Sequence, residues 1–193
     1  MKQFIIMFAL SIALWVHVCL GELHLDGFVL IKGGTFNRGK GANQTGAAAN
    51  VEDFEILDHP VTNSQYEAFV KDTGYSPPLH WVDGKIPPGK GDYPVIFVNR
   101  SDVNAYLRWL TQRDGRVYRL PTSVEFEYAA RGGLRNQAYP WGDGSPREKA
   151  NYDLDGHRRF DRWQDYLKPA RWGHRNKYGL YGMAGNVWQM TMD

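Results

Sequence analysis

The chain contains 193 residues, of which 42% are hydrophobic and 14% aromatic, and this length and composition suit one folded domain with a sizeable core. Its 23 basic and 21 acidic residues give a net charge of +2. No long basic run appears, which excludes the charge pattern typical of nucleic-acid-binding proteins, so we expect no nucleic-acid partner. The 21 Gly and 7 Trp residues favour a loop-rich fold anchored by aromatic side chains.

The N-terminus has the pattern of a secretory signal peptide. Lys2 supplies the positive charge, Phe4 to Val16 form an apolar run, and Cys19 and Gly21 place small residues before a cleavage point. We therefore predict a signal peptide over residues 1–21 and an exported domain over 22–193, in the periplasm, at the cell envelope or secreted. The apolar run is shorter than a membrane-spanning helix needs, so no transmembrane segment is expected after cleavage.

Cys19 is the single cysteine of the sequence. Cleavage after Gly21 would remove it, and the mature residues could then form neither an intrachain disulfide nor a thiol-based active site. An alternative is that Cys19 carries a lipid instead of being removed. The preceding Val16-His17-Val18 lacks the small residues that such a lipid site prefers.

The first part of the mature chain has strand patterns. Phe28 to Ile31 is an apolar strand candidate, residues 32–34 form a turn, and Thr35 starts a return strand. Residues 38–50 are rich in Gly, Ala and Asn and are interpreted as a surface loop. Val51 to Leu57 is expected to be a further strand.

Two helices are expected next. Thr62 and Gln65 have the spacing of a capping box, and Gly74 offers a stop. Ser101 is a candidate N-cap for the second helix, and Gly115 follows its apolar positions.

A third helix should begin at Thr122, which forms another capping box with Glu125, and should end at Gly132. Residues 75–93 hold prolines and glycines and are expected to form an ordered, irregular loop. From Ala138 onward the sequence is aromatic, Gly-rich and aperiodic. The expected fold class is therefore α+β, with few helices, small sheets and much ordered loop.

The last segment carries a resemblance to a known family. Residues 179–191 read G-L-Y-G-M-A-G-N-V-W-Q-M-T. They resemble the signature G-L-Y-D-M-A-G-N-V-W-E-W-T of formylglycine-generating enzymes, the sulfatase-modifying-factor family. Five further blocks match the family in order: Gly33 to Phe36, His59 to Tyr66, Tyr93 to Val95 with Val98 to Trp109, Arg119 to Arg131, and Tyr139 to Gly142.

The resemblance covers about residues 27–193 and implies an irregular fold similar to a C-type lectin. It also implies a domain that lacks its C-terminal part, because family members continue beyond this signature. Most of the matched residues are expected to be structural. In particular, Arg119, Glu125, Glu127 and Arg131 should form ion pairs that hold the fold.

Family members are similar in holding two calcium ions, which suit irregular loops because Ca²⁺ accepts side-chain and backbone oxygens together. The first site uses an Asn side chain, the next carbonyl, an Asp side chain and the carbonyl two residues later. Asn151, Tyr152, Asp161 and Trp163 match that pattern. The alternative is a polar loop whose carboxylates are only solvated.

The second calcium site in the family uses the residue after G-L-Y, two backbone carbonyls and the Glu after Trp. The corresponding residues here are Gly182, Gly185, Val187 and Gln189. Gly182 has no side-chain oxygen and Gln189 has no charge, so we expect affinity for calcium at this site to fall sharply.

Formylglycine-generating enzymes oxidise a sulfatase cysteine with O₂ and a Cu(I) ion held by two cysteines, which suit Cu(I) because thiolates are soft ligands. Those cysteines follow the N-V-W block and are not among these residues, so copper is expected only in a complete family member. A sulfatase-type polypeptide would then be the substrate. Trp188 matches a Trp near the family's substrate cleft, and its alternative role is a packed aromatic.

Three interpretations stay open. The chain is a fragment of a longer formylglycine-generating protein, a non-catalytic structural or binding relative at the cell envelope, or a member with different oxidative chemistry. The last would need a His-rich domain, which the sequence does not show. A fourth, a lectin-like carbohydrate-binding module, would leave the R-L-P-T and G-N-V-W blocks unexplained.

Overall fold

A computed structural model describes residues 27–41, 44–135, 137–156 and 162–193. The predicted signal peptide lies outside the described residues. Within them the chain forms six short strands and four helices joined by long ordered segments. The predicted α+β fold with few helices and small sheets is thus confirmed.

The strands pair in three separate antiparallel ladders rather than in one sheet. The outer ladder joins β1 (Phe28–Ile31) to β6 (Phe54–Leu57). The next ladder joins β2 (Gly34–Asn37) to β5 (Ala48–Val51), and a short one joins β3 (Lys40–Gly41) to β4 (Gln44–Thr45).

The prediction that β2 returns along β1 is wrong, because β2 pairs with β5 instead. The prediction of one strand from Val51 to Leu57 and of a loop over 38–50 is also wrong. The chain breaks at Asp53, whose carboxylate accepts the Gly33 N–H at 2.8 Å. At this crossing a Cβ on Gly33 would lie 2.1 Å from the Val51 carbonyl oxygen, so only glycine allows the two ladders to approach.

Three of the helices begin and end at capping residues. The helix α1 (Asn63–Thr73) has the predicted capping box of Thr62 and Gln65, and α3 (Ser123–Arg131) has that of Thr122 and Glu125. Each ends at its predicted glycine in the left-handed conformation. The short helix α4 (Trp163–Tyr166) was not expected from the sequence.

The helix α2 (Arg100–Asp114) begins earlier than predicted. Asn99, and not Ser101, is its N-cap, and the Asn99 side chain accepts the N–H groups of Ser101 and Asp102. Asp102 returns the interaction by accepting the Asn99 N–H at 2.7 Å. The capping box therefore selects Asn99, because only from there does an acidic side chain fall at the third helical position.

Two clusters of buried side chains hold these elements together. The larger one lies between α1, α2 and the ordered loop that follows α1, and its members are aromatic or aliphatic: Tyr66, Phe69, Trp81, Tyr106, Trp109 and Leu110. The smaller one joins Ile31 of β1, Ala129 of α3 and Leu180. Because Leu180 is fully buried, the segment that follows it starts from a fixed point.

The predicted ion pairs form as two clusters. Arg119 and Glu125 pair at 2.6 Å, and Arg131 and Glu127 pair at 2.6 Å on α3. Arg38 also approaches Glu127, at 3.6 Å. Both clusters join α3 to neighbouring segments, which supports the structural role that we expected. Within the described ranges, no helix has the length and apolar character that crossing a membrane requires.

Candidate functional site

A cleft of about 1100 Å³ opens between the β1–β6 ladder, α2 and the segment 116–121. Residues of the loop 181–190 line another part of it. Apolar side chains such as Leu30, Ile56 and Leu107 dominate its walls. A cleft of this size and character accommodates a polypeptide or a large apolar ligand.

Trp188 lies on the cleft and its side chain is fully exposed. Within the described residues no side chain packs over it, and both roles given to Trp188, substrate contact and packed aromatic, stay predictions. An exposed Trp beside an apolar cleft has the character of a binding anchor, because its large ring gains contact area when a partner covers it. Its role toward a substrate stays a prediction.

A buried polar cluster lies beside the cleft, and sequence reasoning missed it. His59 hydrogen-bonds through Nδ1 to the Asp58 carboxylate, and both residues are buried. Arg171 donates to both carboxylate oxygens of Asp58, from Nε at 3.2 Å and from Nη2 at 2.9 Å. The adjacent Asp-His pair was visible in the sequence, but Arg171 lies 113 residues away from it.

The charges in this cluster follow from its burial and contacts. Burial raises the pKa of Asp58, but hydrogen bonds from Arg171 and His59 outweigh it and leave that pKa below its ordinary value. Burial lowers the pKa of His59, so the imidazole is neutral near pH 7. The Gln65 amide lies 3.3 Å from His59 Nε2, which engages the second ring nitrogen. Through these contacts the cluster ties the end of β6 to Arg171 and to α1.

The residues predicted for the first calcium site are only partly described. Asn151 is buried, and its Nδ2 donates to the carbonyl of Tyr166 and to Oδ1 of Asn186, both at 2.8 Å. Tyr152 follows it in the same loop, half-buried. Trp163 begins α4, and Asp161 lies outside the described residues. A buried amide in an irregular loop fits a calcium ligand chemically, and the site stays a prediction.

The residues of the predicted second calcium site lie in the loop 182–189, where protein groups already contact one another. Gln189 Nε2 donates to the Gly182 carbonyl at 2.5 Å, and the Val187 N–H donates to the Gly185 carbonyl at 2.9 Å. A carbonyl that accepts a hydrogen bond can still bind a cation, so these contacts alone leave the prediction open. The donor set is nevertheless poor, since it contains no carboxylate.

Asn186 links the two predicted calcium regions, which the sequence pattern did not indicate. Its Oδ1 accepts from Asn151 and from the Lys168 N–H, and its Nδ2 donates to the Lys168 carbonyl. Its own N–H donates to the Asn151 carbonyl at 3.0 Å. Asn186 has a φ of 65°, a conformation that Asn tolerates better than most residues. Its side chain therefore fixes the loop that carries Trp188.

The residues present do not fit a copper site of the kind that two thiolates form. The single cysteine, Cys19, belongs to the predicted signal peptide. Nor do the described residues bring three His, Cys, Asp or Glu side chains together in a metal-binding group. No oxidation step can therefore be derived from these side chains.

Comparison with known proteins agrees with the geometry. Residues 20–193 match the family described as "Sulfatase-modifying factor enzyme 1-like domain". The chain is 30% identical to the mouse protein named "Inactive C-alpha-formylglycine-generating enzyme 2", over 92% of this chain and 73% of the mouse protein. It is 31% identical to the "Formylglycine-generating enzyme" of Thermomonospora curvata, over 86% of this chain and 71% of that enzyme.

Among solved structures, PvdO from Pseudomonas aeruginosa shares the fold with a TM-score of 0.63. The likeness covers 86% of this chain and 70% of PvdO at 24% sequence identity, so it bears on the fold alone. The family match, the two sequence relatives and the shared fold lead to one assignment. The chain belongs to the sulfatase-modifying factor enzyme 1-like family, the family of the formylglycine-generating enzymes.

Proposed function

We propose that this chain is an exported formylglycine-generating-enzyme-like domain that cannot generate formylglycine with its own 193 residues. The observation that carries the proposal is the single cysteine, Cys19, which precedes the folded region. A Cu(I) site of the family type needs two thiolates. Catalysis, and a sulfatase-type substrate, would therefore require residues that this sequence does not supply.

The cleft supports a second part of the proposal, that further polypeptide of the same domain covers these walls in the intact protein. In the described residues β1 and β6 pair only with each other, so the ladder has unpaired edges. Three apolar residues on the cleft, Leu30, Phe97 and Val117, are 53%, 49% and 87% exposed. Edges and apolar surfaces of this kind are normally covered in a stable domain.

The test is the intact mass and the first residue of the protein, measured on material isolated from the envelope or secreted fraction of its native host. We expect a mass clearly above that of residues 22–193 and an N-terminus at Glu22. A mass equal to that of residues 22–193 would contradict the covering segment. Recovery of the protein in the cytosol with Met1 intact would contradict export.

A second candidate function is a non-catalytic binding module at the cell envelope. Two observations favour it: one of the relatives is named an inactive enzyme, and Trp188 stands fully exposed on an apolar cleft. The same mass measurement separates the candidates, because a native protein that ends at Asp193 would leave binding as the leading function. Loss of partner capture in a Trp188→Ala variant would then support the role of the cleft.

We also propose one structural calcium ion, bound by Asn151, Tyr152, Asp161 and Trp163. The supporting observation is that Asn151, a polar residue, is buried in an irregular loop. Calcium should raise the Tm relative to a chelator, and Asp161→Asn should remove most of that rise. An Asp153→Asn variant, which changes a neighbouring carboxylate, is the matched control. Equal Tm values with calcium and with chelator would contradict the proposal.

A further inference from the structure

The loop 182–189 presents Trp188, and the sequence relationship implies that a metal ion closes it. Gly182 and Gln189 stand at the two ends of this loop. Gln189 Nε2 donates to the Gly182 carbonyl, so the two ends meet directly through one side chain. The amide N–H places a partial positive charge next to the carbonyl oxygen, in the way that a bound cation would place its charge there.

Gly182 shows why a metal-binding side chain does not fit at the first position. Its φ is +64°, and a Cβ built there would lie 2.9 Å from Pro60 Cδ and 3.0 Å from Pro60 Cγ. Even Asn, which tolerates a positive φ, would meet the rigid proline ring. Position 182 therefore supplies its backbone carbonyl and no side-chain oxygen while Pro60 keeps its place.

The other end and the middle of the loop are fixed by protein contacts as well. Gln189 is half-buried, so water competes only in part for its amide. Between the two ends, the Asn186 side chain accepts the Lys168 N–H and donates to the Lys168 carbonyl. The Asn186 N–H donates to the Asn151 carbonyl. On one side of Trp188, Asn186 is thus joined to Lys168 and Asn151, and on the other side Gln189 is joined to the start of the loop, all through protein groups.

We propose that the Gln189 amide acts as a latch that replaces the second calcium ion, so that the loop presenting Trp188 keeps its structure without metal. The latch needs an amide side chain at 189 and the backbone carbonyl of Gly182, and the Pro60 ring keeps a metal-binding side chain away from position 182. It makes presentation of Trp188 independent of the calcium concentration. The latch would hold whether or not the cleft receives a polypeptide.

Hydrogen exchange of the full chain, read by mass spectrometry on peptides covering residues 182–190, tests this proposal. Because a calcium ion at the first site would also reach this loop through Asn151 and Asn186, the comparison is made in an Asp161→Asn background, where we expect equal exchange rates in millimolar calcium and in chelator. In Gln189→Ala the same peptides should exchange about five- to tenfold faster in both conditions, because one hydrogen bond is lost. The matched control is Gln164→Ala, an exposed amide on α4, which should leave the loop unchanged.

Two results would overturn the latch. One is protection of residues 182–190 by calcium in the Asp161→Asn background, which would show that a cation still closes this loop. The other is a Gln189→Ala protein that folds and exchanges in this loop at the wild-type rate. If Gln189→Ala fails to fold, the comparison of the Asp161→Asn protein with and without calcium still decides the question. Calcium effects confined to residues 150–166 would belong to the first site and would leave the latch intact.

Discussion

Arg171 donates two hydrogen bonds to the buried carboxylate of Asp58, and this pair ties the end of β6 to a segment 113 residues later in the chain. Asp58 also lies at a backbone junction, since its N–H donates to the Gly27 carbonyl and its carbonyl accepts the Tyr181 N–H at 2.7 Å. The side chain is thus placed where the first strand ladder meets the signature segment.

Replacing Asp58 with Asn should lower the free energy of unfolding by roughly 2 kcal/mol, because the substitution removes one charge of a largely buried pair. Half of the Arg171 side chain is exposed to water, and this exposure moderates the loss. Asp155→Asn is the matched control, since its pair with Arg147 is exposed on both sides and should contribute less than about 0.5 kcal/mol. Urea denaturation of both variants measures the difference. Equal losses would contradict the role given to Asp58.

Glu125 should contribute a pH-dependent part of the stability. The hydrogen bond from Arg119, with help from the Thr122 backbone, lowers the pKa of Glu125 from 4.5 to about 2. A carboxyl group with a depressed pKa stabilises the fold above its unfolded pKa, and this contribution disappears as pH falls from about 4.5 to 2. Glu125→Gln keeps the shape and the capping geometry but removes the charge. We expect the free energies of unfolding of the wild type and the variant to converge as pH falls from about 4.5 to 2, measured by denaturation at several pH values. A difference that stays constant with pH would contradict the lowered pKa of Glu125.

The core between α1 and α2 should be sensitive to cavities. Leu110 is 4% exposed, and truncating it to Ala should cost about 2–5 kcal/mol through lost burial and the cavity left behind. Leu79 is 90% exposed, and the same substitution there should cost less than about 0.5 kcal/mol. Thermal or chemical unfolding of the two variants compares identical chemistry at buried and exposed sites. A similar Tm for both would show that the core is not packed as described.

Gly182 and Gly89 give a matched test of the contact with Pro60. Both have positive φ values, +64° and +72°, but a Cβ at Gly182 meets the Pro60 ring whereas a Cβ at Gly89 meets nothing within 4 Å. Each Gly→Ala variant should lose about 1 kcal/mol from backbone strain. Gly182→Ala should lose about 1–3 kcal/mol more through overpacking. The difference between the free energies of unfolding of the two variants measures the cost of the contact with Pro60. Equal values for the two variants would mean that Pro60 moves aside at no cost.

The parts of the fold that the sequence predicted are those that depend on neighbouring residues. Thr62 with Gln65 and Thr122 with Glu125 each form a capping box within four residues, so local chemistry decides where those helices begin. Strand pairing was predicted less well, since β2 joins β5 through contacts that span the loop between them. Asn99 is the N-cap of α2 instead of Ser101 because only Asn99 has an acidic residue, Asp102, three positions later.

The same limit applies to the site. The signature segment identified Trp188 and Gln189, but nothing in the local pattern indicated that the Gln189 amide would donate to the Gly182 carbonyl. The partnership of Asp58 with Arg171, and of Asn151 with Asn186, joins residues that lie far apart in sequence. Such contacts depend on the tertiary structure, and the periodicity of the sequence does not predict them.

The most direct test of the central claim is an oxidation assay on the chain itself. Residues 22–193 are incubated with copper, O₂ and a peptide that contains the C-x-P-x-R motif, and the peptide is analysed by mass spectrometry and with an aldehyde-reactive hydrazide. The formylglycine-generating enzyme of Thermomonospora curvata serves as the positive control. We predict that the peptide keeps its thiol in the presence of this chain. Loss of the sulfur with formation of an aldehyde would contradict the account.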